Sequence, residues 1–133
     1  MIKKIYSGKP SVFDKDSALT YSGGDENLLR DFLRDFLDSK PTQQERITSA
    51  FAAKNWHDYT TFVHALKSSS LAVGGKKLSA AAKQQEQAGK NYEGATDEEA
   101  KANALSYINS HHDELMSFYD EFAAQAGNWL TKN

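Results

Sequence analysis

The chain has 133 residues, 39% hydrophobic and 26% charged, which is enough for one domain with a core and ordinary for a soluble globular protein. Its 16 basic and 18 acidic side chains leave a net charge of −2, which argues against a general nucleic-acid binder, since such surfaces are basic. No cysteine is present, so disulfides, thiolate metal sites and cysteine nucleophiles are excluded; the absence fits a cytoplasmic protein, and no apolar run nears the ~18 residues that insert across a bilayer.

The opening Met1-Ile2-Lys3-Lys4-Ile5-Tyr6 is too short and too polar for a signal peptide, and residues 1–12 read as a leading arm or linker. A short helix is predicted from Asp14 to Thr20, ended by Ser22-Gly23-Gly24. Asp25 caps the next helix, whose apolar stripe is Leu28, Leu29, Phe32, Leu33, Phe36 and Leu37. Pro41 is expected to end it, because the residue before a proline is pushed out of the α region. Thr42-Gln43-Gln44-Glu45 then reads as a capping box for a separate helix through Ile47, Ala50, Phe51 and Lys54.

Asn55 caps a helix running to about Val73, with Trp56, Tyr59, Val63, Leu66, Ser70 and Val73 as its buried seam. Gly74-Gly75 breaks the chain sharply, so the following helix returns antiparallel, carrying Leu78, Ala81, Ala82, Gln85 and Ala88 inward. The stretch from Gly89 to Gly94 loosens it. Thr96-Asp97-Glu98-Glu99 is a further capping box, opening a long last helix with the seam Leu105, Ile108, His112, Leu115, Tyr119, Phe122 and Ala126. Short connections between long amphipathic helices imply an all-α fold, an antiparallel four-helix bundle over 13–127 with one or two short accessory helices and a tail over 128–133. A single complete core predicts a monomer.

One stretch stands apart from this packing pattern: His64-Ala65-Leu66-Lys67-Ser68-Ser69-Ser70. On a helical wheel His64 falls roughly 130° from the seam centre and so points outward. His57, Thr61, Ser68 and Leu71 share its face, and Lys67 sits between that face and the seam. A neutral imidazole is a good nucleophile near pH 7, since its ordinary pKa is about 6.5. If it attacks phosphorus it gains about two negative charges, which a lysine one turn away offsets. Small residues at Ser68, Ser69 and Ser70 let a partner's backbone approach, and an exposed Leu71 suits the centre of a docking patch.

The Gly74-Gly75 hairpin places a window containing Lys83, Gln84, Glu86 and Gln87 beside His64. Glu86 or Gln87 can accept the Nδ1–H bond that leaves Nε2 as the nucleophile, while Lys83 and Lys90 add positive potential. A metal site has little support: His111 and His112 are adjacent and do not share a helical face, and His57 and His64 are two turns apart. Phe32, Phe36, Trp56, Tyr59, Tyr119 and Phe122 read as core aromatics.

The heptapeptide, followed by Val73-Gly74-Gly75 and Leu78, resembles the motif of histidine-containing phosphotransfer (HPt) domains, H-x-L-K-[GS]-[SA]-[SA], then an apolar residue and glycine, then leucine. Gly23-Gly24-Asp25-Glu26-Asn27-Leu28-Leu29 with Phe32 and Phe36, Asn55-Trp56 with Tyr59, and Ala88-Gly89-Lys90 extend the likeness from about Phe13 to Phe122. The resemblance implies that His64 accepts a phosphoryl group from the phospho-aspartate of a receiver domain, in a hybrid sensor kinase or response regulator, and passes it to another receiver. It implies that Lys67 stabilises the phosphohistidine and that Mg²⁺ belongs to the receiver, leaving this chain without a cofactor, a carrier rather than an enzyme with its own turnover. Two departures from the family pattern stand out. Ser68 occupies a position often held by glycine, and Gln85 puts an amide on the core stripe beside Glu86. Either Gln85 reaches a polar partner or the bundle is looser there. Two other readings are a bundle that regulates a receiver by occupancy alone, and a module phosphorylated directly by a histidine kinase domain.

Overall fold

The structure is a computed structural model and is described for residues 11–132. Among these residues there are five helices and no strand: α1 (Lys15–Tyr21), α2 (Glu26–Ala52), α3 (Trp56–Ala72), α4 (Lys76–Gly94) and α5 (Glu98–Lys132). Helices α2 to α5 form an antiparallel bundle in which α3 packs between α2 and α4, α4 packs on α5, and α5 closes on α2; α1 lies against α2 and α3. The α2–α5 register is legible in side-chain pairs: Arg30 meets Leu130, Lys40 meets Asp120, and Gln44 meets Asp120 and Met116.

Two of the predicted caps form, with Asp25 and Asn55 each accepting from a backbone N–H three residues on, and Asp14, read only as the first residue of a short helix, caps α1 in the same way. At the start of α5 the cap is Asp97, which accepts from Ala100 N at 2.8 Å, instead of the expected Thr96; a carboxylate also matches the helix dipole. The seams of α3 and α5 are buried as predicted except at Leu105, which is half-buried, with Tyr59, Val63, Ile108, Leu115 and Phe122 all essentially inaccessible.

Pro41 does not end a helix. It lies inside α2, which runs unbroken from Glu26 to Ala52, so the separate capping box at Thr42 does not exist. A proline in a helix loses one backbone bond and crowds the carbonyl four residues back. Here Pro41 is exposed, so that carbonyl lies on the solvent side. Phe36 on one side of the proline and Ile47 and Ala50 on the other are buried in the same core. Lys40 and Gln44 bracket it and both hold Asp120 of α5, at 2.8 and 3.0 Å. Tertiary packing on both flanks outweighs the local preference.

The α2 stripe is narrower than predicted. Leu29, Leu33 and Phe36 are buried, whereas Leu28 and Phe32 are exposed, so Phe32 is not a core aromatic. It borders a shallow groove with Ser69 and Ala72 of α3 and Val73 just after it. At the chain ends, most of the expected arm lies outside the described residues, but Val12 is already buried, and its N–H donates to Gln125 Oε1. The expected tail is helical to Lys132, because Trp129 packs on Phe13 and under Arg30.

Gly74 makes the α3–α4 turn and docks the N-terminal segment. Its φ is +83°, its carbonyl accepts Asp14 N at 2.9 Å, and a Cβ there would strike the Asp14 carbonyl oxygen. Gly75 N returns to Ser70 O at 2.8 Å, closing the last turn of α3.

Candidate functional site

Two contacts clamp α3 to α4 on either side of His64. Toward the helix start, Gly89 lies against Thr60, and a Cβ on Gly89 would overlap Thr60 Oγ1 and come within 3.0 Å of its Cβ. Thr60 cannot easily yield, since it is buried, β-branched, and bonded through Oγ1 to Trp56 O at 2.7 Å. Toward the helix end, Ser79 Oγ donates to the Lys67 carbonyl at 2.7 Å. Between these clamps the two helices are close enough for a short side chain on α4 to reach across to α3.

That side chain is Glu86. Its carboxylate is only 4% exposed, yet it meets three cationic or titratable groups. Oε2 lies 2.6 Å from His64 Nδ1 and 3.1 Å from Lys90 Nζ, and Oε1 lies 2.7 Å from Lys67 Nζ. Burial by itself pushes the Glu86 carboxyl up; hydrogen bonds from Lys67, His64 and Lys90 outweigh it and pull the group down to about 2. Glu86 is therefore a fixed anion at neutral pH and accepts Nδ1–H. The imidazole side chain is 58% exposed, and Nε2 is the ring nitrogen left for chemistry.

Behind this surface cluster runs a buried polar chain. Gln85 Nε2 donates to the Ile108 carbonyl and to Tyr59 Oη, each at 3.0 Å. With its oxygen already accepting from Gln85, Tyr59 donates its hydroxyl proton to His112 Nδ1 at 2.9 Å, which places the His112 proton on Nε2. His112 stacks on Phe51 at 3.8 Å, and burial holds its pKa below the usual histidine value. Burial likewise pushes the Tyr59 hydroxyl up. Of the two outcomes open for Gln85, the polar partner is the one found, although its Oε1 has no protein partner. The network ties α3, α4 and α5 together directly beneath the Glu86 face.

The other predicted residues spread along the same two helices. His57 is exposed, with Nδ1 at 2.8 Å from Glu93 Oε2; the Glu93 hydrogen bond raises its pKa. Thr61 is exposed and bonds back to the His57 carbonyl, Ser68 is exposed, and Leu71 is one of the few exposed large apolar residues. Lys83 and Gln87 are exposed on α4, and Gln87 bonds Asn91 along its own helix instead of reaching His64. Lys90 makes a contact that its assignment as background potential did not include. Its signal in the sequence is the i,i+4 spacing from Glu86. Glu93 was not singled out, although its spacing from Glu86 repeats that of His57 from His64.

Among the described residues, no three histidine, aspartate or glutamate side chains group as a metal site, and no helix is long and apolar enough to cross a membrane. An exposed imidazole with one nitrogen bonded to a buried carboxylate and a lysine one turn on is suited to nucleophilic attack on a phosphoryl group. The family model of the Hpt domain matches residues 31–121. No curated protein and no solved structure matches the chain.

Proposed function

The chain belongs to the Hpt domain family, whose members carry out histidine phosphotransfer in phosphorelays with receiver domains, and on that premise we propose that His64 is the phosphoacceptor. The lone pair of Nε2 attacks the phosphorus of a receiver's phospho-aspartate. The N–P bond forms, the P–O bond to the aspartate breaks, and the aspartate carboxylate leaves with the electron pair. The Nδ1 proton stays on the ring, bonded to Glu86. A second receiver then takes the phosphoryl group by the reverse displacement. The observation that carries this reading is the 2.6 Å contact between Nδ1 and a carboxylate that is itself nearly inaccessible, on an imidazole that is more than half exposed.

In this reading Lys67 offsets the charge of the bound phosphoryl group. The receiver docks over the exposed side of α3, with Ser68 and Leu71 beside the ring and His57, Thr61, Lys83 and Gln87 around it. The exposed Phe32 of α2, which borders the groove with Ser69, Ala72 and Val73, extends the apolar part of that face. Mg²⁺ and the acidic pocket are assigned to the receiver, and this chain acts as a stoichiometric carrier. The test is transfer from a labelled phospho-receiver to the wild type and to His64→Gln. Acid-labile label on the wild type alone is expected. Equal labelling of both, or of neither although the receiver binds tightly, sinks the reading.

A further inference from the structure

Three groups share the two oxygens of Glu86, and they share them unequally. Oε1 holds Lys67, whereas Oε2 holds both His64 Nδ1 and Lys90. The division acquires a consequence once Nε2 carries a phosphoryl group. That group brings about two negative charges close to Lys67, the cation one turn from the ring. Forming the N–P bond also leaves positive character on the ring, which Glu86 offsets while it stays ionised and aimed at Nδ1. A carboxylate that is 4% exposed has little water to fall back on if Lys67 leaves.

Resting on the reading of His64 as phosphoacceptor, we infer that Lys90 is a positioning residue for phosphotransfer: it keeps Glu86 on His64 Nδ1 when Lys67 turns from Oε1 to the phosphoryl group. Lys90 suits this role for reasons of placement. Glu86 and Lys90 are an i,i+4 pair on α4, with the glutamate N-terminal, which is the favourable order. The pair is made within one helix and does not depend on where α3 or its lysine moves. The Lys90 side chain is 59% exposed, so it is held by the carboxylate and not by packing. Lys67, by contrast, bridges from α3 and is 28% exposed. Lys67, one turn from the ring on α3, is the cation within reach of the phosphoryl group, while the pair within α4 stays on Glu86.

The test uses the full chain and the variants Lys90→Gln, Lys90→Arg, Lys67→Ala and the Lys67→Ala/Lys90→Gln double variant. Two quantities are read: the rate of phosphoryl uptake at saturating phospho-receiver, and the Nδ1–H fraction of His64 from ¹⁵N NMR of the unphosphorylated protein. Lys90→Gln is expected to slow maximal uptake about threefold, as the loss of a half-exposed charge pair allows, with unchanged receiver affinity, and Lys90→Arg to restore it. The double variant is expected to lose more of the Nδ1–H form than the two single variants together. A Lys90→Gln protein with wild-type rate and tautomer balance overturns the inference, as does one whose only loss is receiver affinity, or a Lys90→Arg protein as slow as Lys90→Gln. If the wild type takes up no phosphoryl group the carrier reading falls, and the tautomer balance still decides whether Lys90 holds Glu86 on the ring.

Discussion

His57 and His64 lie two turns apart on α3, and each meets a glutamate of α4 in the same way, Nδ1 to Oε2, at 2.8 and 2.6 Å. The antiparallel register of the two helices produces both pairs. What differs is the carboxylate. Glu93 is 39% exposed in the last turn of α4, where the helix dipole disfavours a negative charge, and Thr60 stands where a lysine would reach it from α3. Glu86 is 4% exposed and has Lys67 and Lys90 on it. A histidine–glutamate contact forms readily on a helix pair in this register; only at Glu86 is the carboxylate also buried and held ionised by two lysines.

The two pairs separate most clearly when each imidazole is removed in turn. His64→Gln is expected to abolish acid-labile labelling, whereas His57→Gln still takes up label on His64, its loss confined to receiver affinity; labelling against receiver concentration distinguishes the two. Next in size is the pair of glutamates. Glu86→Gln keeps an oxygen able to accept Nδ1–H but removes the charge that holds Lys67 and Lys90, and is expected to slow uptake several-fold. The same variant tests the electrostatics by acid titration. Because the folded carboxyl lies at about 2 and the unfolded one at 4.5, its stabilisation is complete above about pH 4.5 and is lost as pH falls toward 2. That part of the chemical-denaturation curve, worth at most about 3 kcal/mol, should be missing in Glu86→Gln.

Gly89→Ala acts on the spacing between the two pairs. Its methyl group meets Thr60, so a net loss of about 1–2 kcal/mol is expected after the gain in helix propensity, with slower phosphoryl uptake as Glu86 is lifted from His64. A thermal melt at or above that of the wild type would show that the clamp is not tight. The smallest effect belongs to Glu93→Gln, whose thermal melt is expected to match that of the wild type. In that variant the His57 titration, followed by NMR, should move down toward the ordinary histidine value, because its raised pKa comes from the Glu93 hydrogen bond. The small stabilisation that pair provides is present below the ordinary histidine pKa and fades as pH rises through the raised one.

Much of this arrangement was legible residue by residue. The spacing of Trp56, Tyr59, Val63, Leu66 and Ser70 placed the seam of α3 and turned His64 outward, and the Gly74-Gly75 hairpin brought Glu86 into range. Pro41 escapes the local rule because buried residues on both flanks and Asp120 hold the helix together. Leu28 and Phe32 were placed inside because periodicity marks a stripe without giving the width of the surface that covers it. Gln85 looked like a defect in the core, but its partners, Tyr59 and the Ile108 carbonyl, come from two other helices.

The amino-acid sequence alone accounts for the helices apart from the continuity of α2 through Pro41, for the caps at Asp25 and Asn55 and for the face on which His64 lies, together with a motif specific enough to indicate the family. These follow from backbone periodicity and hydrogen bonds that reach no more than a turn. The burial of Glu86, the division of its oxygens between Lys67 and Lys90, and the lysine-free pair of the same form at His57 arise from the packing of the bundle. Those outcomes depend on the distance between α3 and α4. That distance is set where Gly89 lets Thr60 approach and Ser79 ties down Lys67, and differences of an ångström there separate an ion pair from two solvated side chains.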